Sequence, residues 1–210
     1  MAGDGGLGLL LVTMEPQAVS EEEFNDWYDT EHTPERAACP GFRSALRYVC
    51  VAGWPRYMAL YDLDSLAVLQ SEGYTKLAGK NFTPWSKRVL PRVQGQLRVE
   101  ATQILPGPAL TVTQPTRGRV TMLRFRGAAD ERAVLDGLAR CYADRPGTAQ
   151  LRAFRIENAA AGEYLALVEH RLPDPAWQPD PAAFAAGAGT IDIANHYSPY
   201  WRRGHLPGVM

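Results

Sequence analysis

Cysteine is scarce in this chain: Cys39, Cys50 and Cys141 are the only three in 210 residues, and they share no close spacing. An odd, scattered set excludes a disulfide framework and a thiolate zinc site, and it fits reduced thiols in a cytoplasmic protein. Long apolar runs are also missing. The longest, residues 7–14, is far too short to span a bilayer, and neither a charged leader nor a processing site accompanies it. Charge of one sign is not in excess either. Lys and Arg number 22 against 23 Asp and Glu, for a formal net charge of −1, so no basic stripe is available for nucleic acid or an anionic membrane. The four histidines have no ligand spacing, so neither metal nor cofactor is expected. What is abundant is apolar residue, 46% of the chain, ample core for one large unit or two small ones.

Reactive side chains concentrate in residues 20–41, SEEEFNDWYDTEHTPERAACPG. Ser20 is a good N-cap and Glu23 completes a capping box. Pro34 cannot donate a backbone hydrogen bond and pushes Thr33 from helical angles, so the helix is expected to end near His32, with a short second turn over 34–38. His32 then occupies a helix C-terminus, where the dipole and the neighbouring Asp29 and Glu31 raise its proton affinity, while burial would lower it. Tyr28 lies one turn back on the same face. Phe24 and Trp27 read as core.

Strand and turn signals place strands over residues 7–14, 42–51, 57–62 and 96–105, with helices over 20–32 and 66–78. The order is β-α-β-β-α-β, a ferredoxin-like arrangement. A Pro/Gly-rich linker, 106–118, follows, and the order restarts with strands over 119–125, 148–157, 163–171 and 190–196 and a helix capped by Asp130. Three echoes preserve their order: CPGFRSALRY in RPGTAQLRAF, RYMALYDL in EYLALVEHRL, and residues 81–93 in 195–209. The chain therefore reads as a tandem duplication, residues 1–105 and 119–210. A four-stranded sheet covered on one face needs its other face buried, so the fold expected is α+β, two ferredoxin-like halves packed sheet to sheet as an intrachain barrel. A cavity between the sheets is the natural ligand site, and further dimerisation of the tandem barrel is left open.

FNDWYDTEHTPER, then PGF, then Arg47-Tyr48 and YMALYDL, resembles EthD-like members of the dimeric α/β-barrel superfamily. The likeness covers residues 7–105 well and the second half only through its echo. That superfamily includes polyketide cyclases, cofactor-independent monooxygenases, lactone isomerases and haem-dependent enzymes, so the resemblance implies a fold and a small apolar or aromatic substrate, not one reaction. Under it, His32 and Tyr28 are the catalytic candidates, and Arg47, Tyr48, Tyr61, Asn81 and Trp85 the substrate-binding ones. The second half offers Leu138 and Val134 where the first has His32 and Tyr28. Any active site therefore belongs to the first half. The leading expectation is acid/base chemistry (cyclisation, isomerisation or elimination) on an aromatic or polyketide-like carbonyl compound. The alternatives are a cofactor-independent or haem-assisted monooxygenase and a non-catalytic carrier of apolar ligands.

Overall fold

A computed structural model describes residues 6–112 and 118–200. Its eight described strands are β1 (Gly8–Pro16), β2 (Leu46–Ala52), β3 (Tyr57–Leu63), β4 (Val93–Leu105), β5 (Arg119–Arg126), β6 (Thr148–Ile156), β7 (Tyr164–His170) and β8 (Thr190–Pro199). Each matches a strand expected from alternation and turn residues, with ends shifted by a few positions. All pair antiparallel and close into a barrel in the order β1-β3-β2-β8-β5-β7-β6-β4. The first four strands lie in the order β4-β1-β3-β2, the last four in the order β8-β5-β7-β6. The two groups join edge to edge, through β2–β8 and β4–β6. Closure leaves no unpaired edge.

Alternation divides each strand between two environments. Leu9, Leu11, Tyr48, Met58, Leu60, Phe154, Leu165, Leu167 and Tyr197 pack together inside the barrel. Leu10, Val12, Met14, Tyr57, Ala59 and Tyr61 point outward under the first helical layer. One barrel end is closed by Arg152, fully buried, whose guanidinium meets Asp62 at 2.7 Å and Glu169 at 3.2 Å. The described part of the predicted linker straps this end: the amides of Thr111 and Val112 donate to Asp62 and Glu169, each at 2.8 Å.

The first helical layer departs from expectation. Ser20 caps α1 (Glu21–Trp27) as predicted, its Oγ accepting from the Glu23 amide at 3.1 Å. Glu23 does not close the box; its carboxylate goes to Arg88 at 2.8 Å. The chain then does not stop at Pro34. A π turn, Tyr28–His32, leads straight into α2 (Thr33–Ala37), and Thr33 keeps helical angles, φ −67° and ψ −45°. Its amide bonds back to the Tyr28 carbonyl, five residues away, and this wider turn gives the proline ring the room a regular α turn denies it. Gly41, at φ 89°, turns the chain toward β2; a Cβ there would meet the Val68 side chain at 2.5 Å. The helix expected over 66–78 is broken into a 3-10 turn, Leu66–Gln70, and α3 (Glu72–Thr75), because Ser71 is extended and recaps the chain by accepting from the Tyr74 amide. The helix started by Pro84 is α4 (Pro84–Val89). On the other side of the barrel, α5 (Glu131–Tyr142) is a regular helix burying Val134 and Leu138 completely. Much of the third sequence echo, beyond Tyr200, lies outside the described residues.

Candidate active site

The cavity that holds the predicted catalytic residues is not between the sheets. It lies outside the barrel, between the first sheet and the π turn, with a volume of about 440 Å³. Strand register builds its floor: β1 pairs Leu10 with Tyr61 of β3 and Val12 with Arg98 of β4, and all four side chains leave the sheet on the helix side. Tyr28, His32 and Arg36, at successive four-residue steps along the continuous helix, form the wall. Tyr74 of α3 and Phe82, in the segment after that helix, close it. A larger hollow, about 560 Å³, opens at the barrel end opposite Arg152, beside Trp54, Met122 and Asn195, and none of the predicted site residues lines it.

His32 is 8% exposed. Its ring lies 4.5 Å from that of Trp27 and 5.2 Å from that of Tyr28, and its Nδ1 is sealed from solvent without a hydrogen-bond partner. Burial, and then the charges of Arg36, Arg47 and Arg98, hold its pKa well below the usual histidine value. Of the opposing effects expected from the sequence, burial prevails. The helix continues through His32, so no C-terminal dipole acts on it, and neither acid turns toward it. Asp29 instead accepts from Arg47 at 2.7 Å and from the Tyr200 hydroxyl at 3.1 Å, while Glu31 accepts from Thr83 at 2.5 Å and Ser86 at 3.3 Å. His32 is a neutral imidazole at physiological pH, suited to taking a proton rather than giving one.

The other candidates separate cleanly. Tyr28 is buried beside His32; its hydroxyl donates weakly to Met14 Sδ at 3.8 Å, and burial pushes its pKa up to about 12. Tyr61 lines the cavity with a buried hydroxyl that has no partner, and burial raises it well above the ordinary tyrosine value. Arg47 reaches the same helix but is not free to bind substrate. Asp29 neutralises it, Asn25 Oδ1 accepts from Nη2 at 2.7 Å, and the rings of Tyr28 and Tyr200 lie 4.3 and 4.1 Å from its guanidinium carbon. Tyr48 is inside the barrel, on the opposite face of the sheet from His32. Asn81 is exposed and donates to the Thr75 carbonyl at 2.8 Å, and Trp85 packs on the flank of the helical core; neither lines the cavity.

Both arginines of the lining escaped sequence reasoning. Arg36, 2% exposed, closes the motif four residues after His32, and that spacing was the available signal. Arg98 follows from the alternation of β4, and its Nη2 donates to the Tyr74 hydroxyl at 3.1 Å. In the second half, His170 Nε2 and His196 Nδ1 share the Thr121 hydroxyl at 2.9 and 3.0 Å, and His196 stacks on Trp177. They form a buried polar knot rather than an open site; His205 lies outside the described residues. Among the described residues no group of three or more His, Cys, Asp or Glu could hold a metal ion, and no helix is long and apolar enough to cross a membrane.

No family profile matches the sequence, and no curated protein matches it significantly. Solved structures do resemble the fold. An anthrone oxidase-like protein superposes with a TM-score of 0.55 at 11% identity, covering 95% of this chain and 93% of that one. A putative monooxygenase from Lactobacillus acidophilus gives 0.50 at 8% identity, covering 93% of each chain. A chlorite dismutase variant from Candidatus Nitrospira defluvii gives 0.60 at 8% identity, covering 94% and 93%. The fold is thus an eight-stranded antiparallel barrel similar to dimeric α/β-barrel proteins.

Proposed function

We propose that the chain is a small-molecule enzyme in which His32 removes a proton from an aromatic or polyketide-like carbonyl compound held between the first sheet and the π turn. The observation that carries this reading is a neutral, buried imidazole in an apolar cavity that also presents the unpartnered hydroxyl of Tyr61. A buried polar group without a partner costs about 1–3 kcal/mol, and a substrate oxygen accepting from Tyr61 removes that cost. No carboxylate backs Nδ1, so His32 is a weak base, and the proton it takes must already be acidified by a neighbouring carbonyl and ring. Tyr61, too buried to ionise, remains a donor to the oxygen on which charge then gathers. Leu10, Val12, Phe82 and Leu90 supply the apolar surface for the rings.

The stabilised carbanion can then cyclise, eliminate or be reprotonated at another carbon. A second reading, cofactor-independent oxygenation, is favoured by the names of the anthrone oxidase-like and monooxygenase structures. There the same carbanion reacts with dioxygen, a CH₂ group and O₂ giving C=O and water. Haem assistance draws no support from His170 and His196, which both bond to Thr121. The matching strand orders of the two halves, with the sequence echoes, support an origin by tandem duplication of a ferredoxin-like unit. In that scheme α5, with Val134 and Leu138 packed solid, belongs to the partner half that completes the barrel.

Deuterium exchange into the CH₂ group of anthrone, followed by NMR without dioxygen, isolates the proton-transfer step. The wild-type chain should accelerate exchange, and His32→Gln should lose at least ~100-fold, the usual range for a general base. Binding of an unreactive aromatic ligand should change by no more than a few-fold. Equal exchange by His32→Gln and wild type would remove His32 from the chemistry. Oxygen uptake on admitting air then separates oxygenation from the other outcomes.

A further inference from the structure

Three arginines are buried among the described residues, and two of them have an evident counter-ion. Arg47 meets Asp29 at 2.7 Å, and Arg152 meets Asp62 at 2.7 Å with Glu169 also in reach at 3.2 Å. Arg36 is different. Its side chain is 3% exposed, and Nη2 donates to the Leu77 carbonyl at 2.8 Å, but Nη1 is buried without any hydrogen bond. The nearest carboxylate, Glu35 Oε2, stands 3.5 Å from Nη1 outside hydrogen-bond geometry, and burial raises the Glu35 pKa. The guanidinium carbon lies over the Tyr74 ring, 5.5 Å from its centroid. A buried cation this poorly compensated is costly, and its unmet donor belongs to a residue that lines the cavity.

The rest of the lining repeats the asymmetry. It contains Arg36 and Arg98 and no Asp or Glu, in a chain whose net charge is −1. Arg98 stands at the exposed rim, paired with Glu100 at 2.8 Å and bonded to the Tyr74 hydroxyl, so Tyr74 links the two guanidinium groups. A planar fork with a free N–H in an apolar chamber is a receptor for an anionic oxygen.

We propose that the cavity takes its ligand as an anion, an aromatic carboxylate or phenolate, whose charged oxygen is received by Nη1 of Arg36. This rests on reading the cavity as the substrate site, and it specifies which class of aromatic compound enters. Arg36 is one helical turn beyond His32, with Cβ atoms about 5–6 Å apart, so anchor and base stand on the same helix face. The acidified carbon and the anionic group of the substrate must then lie on one edge of the ring system.

Unreactive probes test this without any turnover. In the carboxylate arm, 2-naphthoate is compared with its neutral methyl ester by titration calorimetry. In the phenolate arm, the absorbance of 4-nitrophenol shows whether it is bound ionised or neutral. The expected result is a preference of at least tenfold for the anion in one arm, which identifies the source of the charge. Arg36→Met should abolish that preference while the neutral probe keeps its affinity, and Arg36→Lys should retain part of it. Equal binding of charged and neutral probes by the wild-type chain in both arms overturns the proposal, as does a preference that survives Arg36→Met. Should Arg36→Met fail to fold, the wild-type comparison and Arg36→Lys still decide. Failure of every probe to bind, charged or neutral, would instead overturn the cavity itself as the substrate site, and this proposal with it.

Discussion

At the level of single residues, His32, Tyr28 and Tyr61 of the sequence candidates line one chamber, though not the one expected between the sheets, because helix and strand periodicity fix which side chains share a face. Sequence could not show what each charged group would find across the gap. Arg47 reads equally well as a substrate ligand or a rim arginine, and only the packed structure reveals that Asp29 and Asn25 hold it. The same pairing takes Asp29 away from His32, so little opposes the burial that lowers its proton affinity. Arg47 and Asp29 have side chains only 2% and 14% exposed, so removing the acid strands a buried cation. Asp29→Ala should therefore cost about 3–5 kcal/mol in urea denaturation. Asp29→Ala combined with Arg47→Met should cost clearly less than the two single changes summed, since neither charge is then left alone. A destabilisation below ~1 kcal/mol in Asp29→Ala would mean that Arg47 is held by its aromatic neighbours and not by the ion pair.

At the level of elements, the described strands were all legible, with ends off by up to four residues, since strand patterns bounded by glycine and proline leave little choice. The helices were less so. Pro34 predicts a stop, yet the chain avoids stopping by widening one turn, a solution that no propensity encodes. The consequence is geometric: the wide turn continues the helix so that Arg36 follows His32 on the same cavity wall. Pro34→Ala restores a backbone donor and removes the ring, so the turn can tighten to α geometry. A tightened turn rotates everything after it by roughly 100° relative to α1. Pro34→Ala should keep or slightly raise the helical signal in circular dichroism, yet lose most His32-dependent proton exchange. Unchanged exchange in a fully folded Pro34→Ala would show that the neighbouring packing, not the proline, holds the wide turn open.

Over the whole molecule, the strand pattern announced a barrel, but the cavity expected between the sheets is not where the candidates lie. Large side chains fill the inside and Arg152 closes one end, so the catalytic candidates face a chamber under the helices instead. The same tight burial gives the protein a pH signature. His32, His170 and His196 are all buried, and burial, the first cause in each case, lowers all three pKa values, that of His196 to about 4. The unfolded chain protonates them near 6.5, so below that pH the unfolded state binds more protons than the native one. Their contribution to stability is complete above about pH 6.5 and is lost as pH falls toward the folded values, each histidine adding up to ~1.4 kcal/mol per pH unit to the slope. Glu169 and Glu35, whose carboxyls burial raises, act with the opposite sign, but only near and just above the ordinary carboxylate range. Between pH 6 and 5 the histidines should dominate, and urea denaturation should show stability falling by more than one proton's worth. His196→Asn should reduce that slope. A stability that stays level from pH 7 to pH 5 would mean that the three imidazoles titrate in the folded barrel as they do in the unfolded chain, and burial would then not be what keeps His32 neutral.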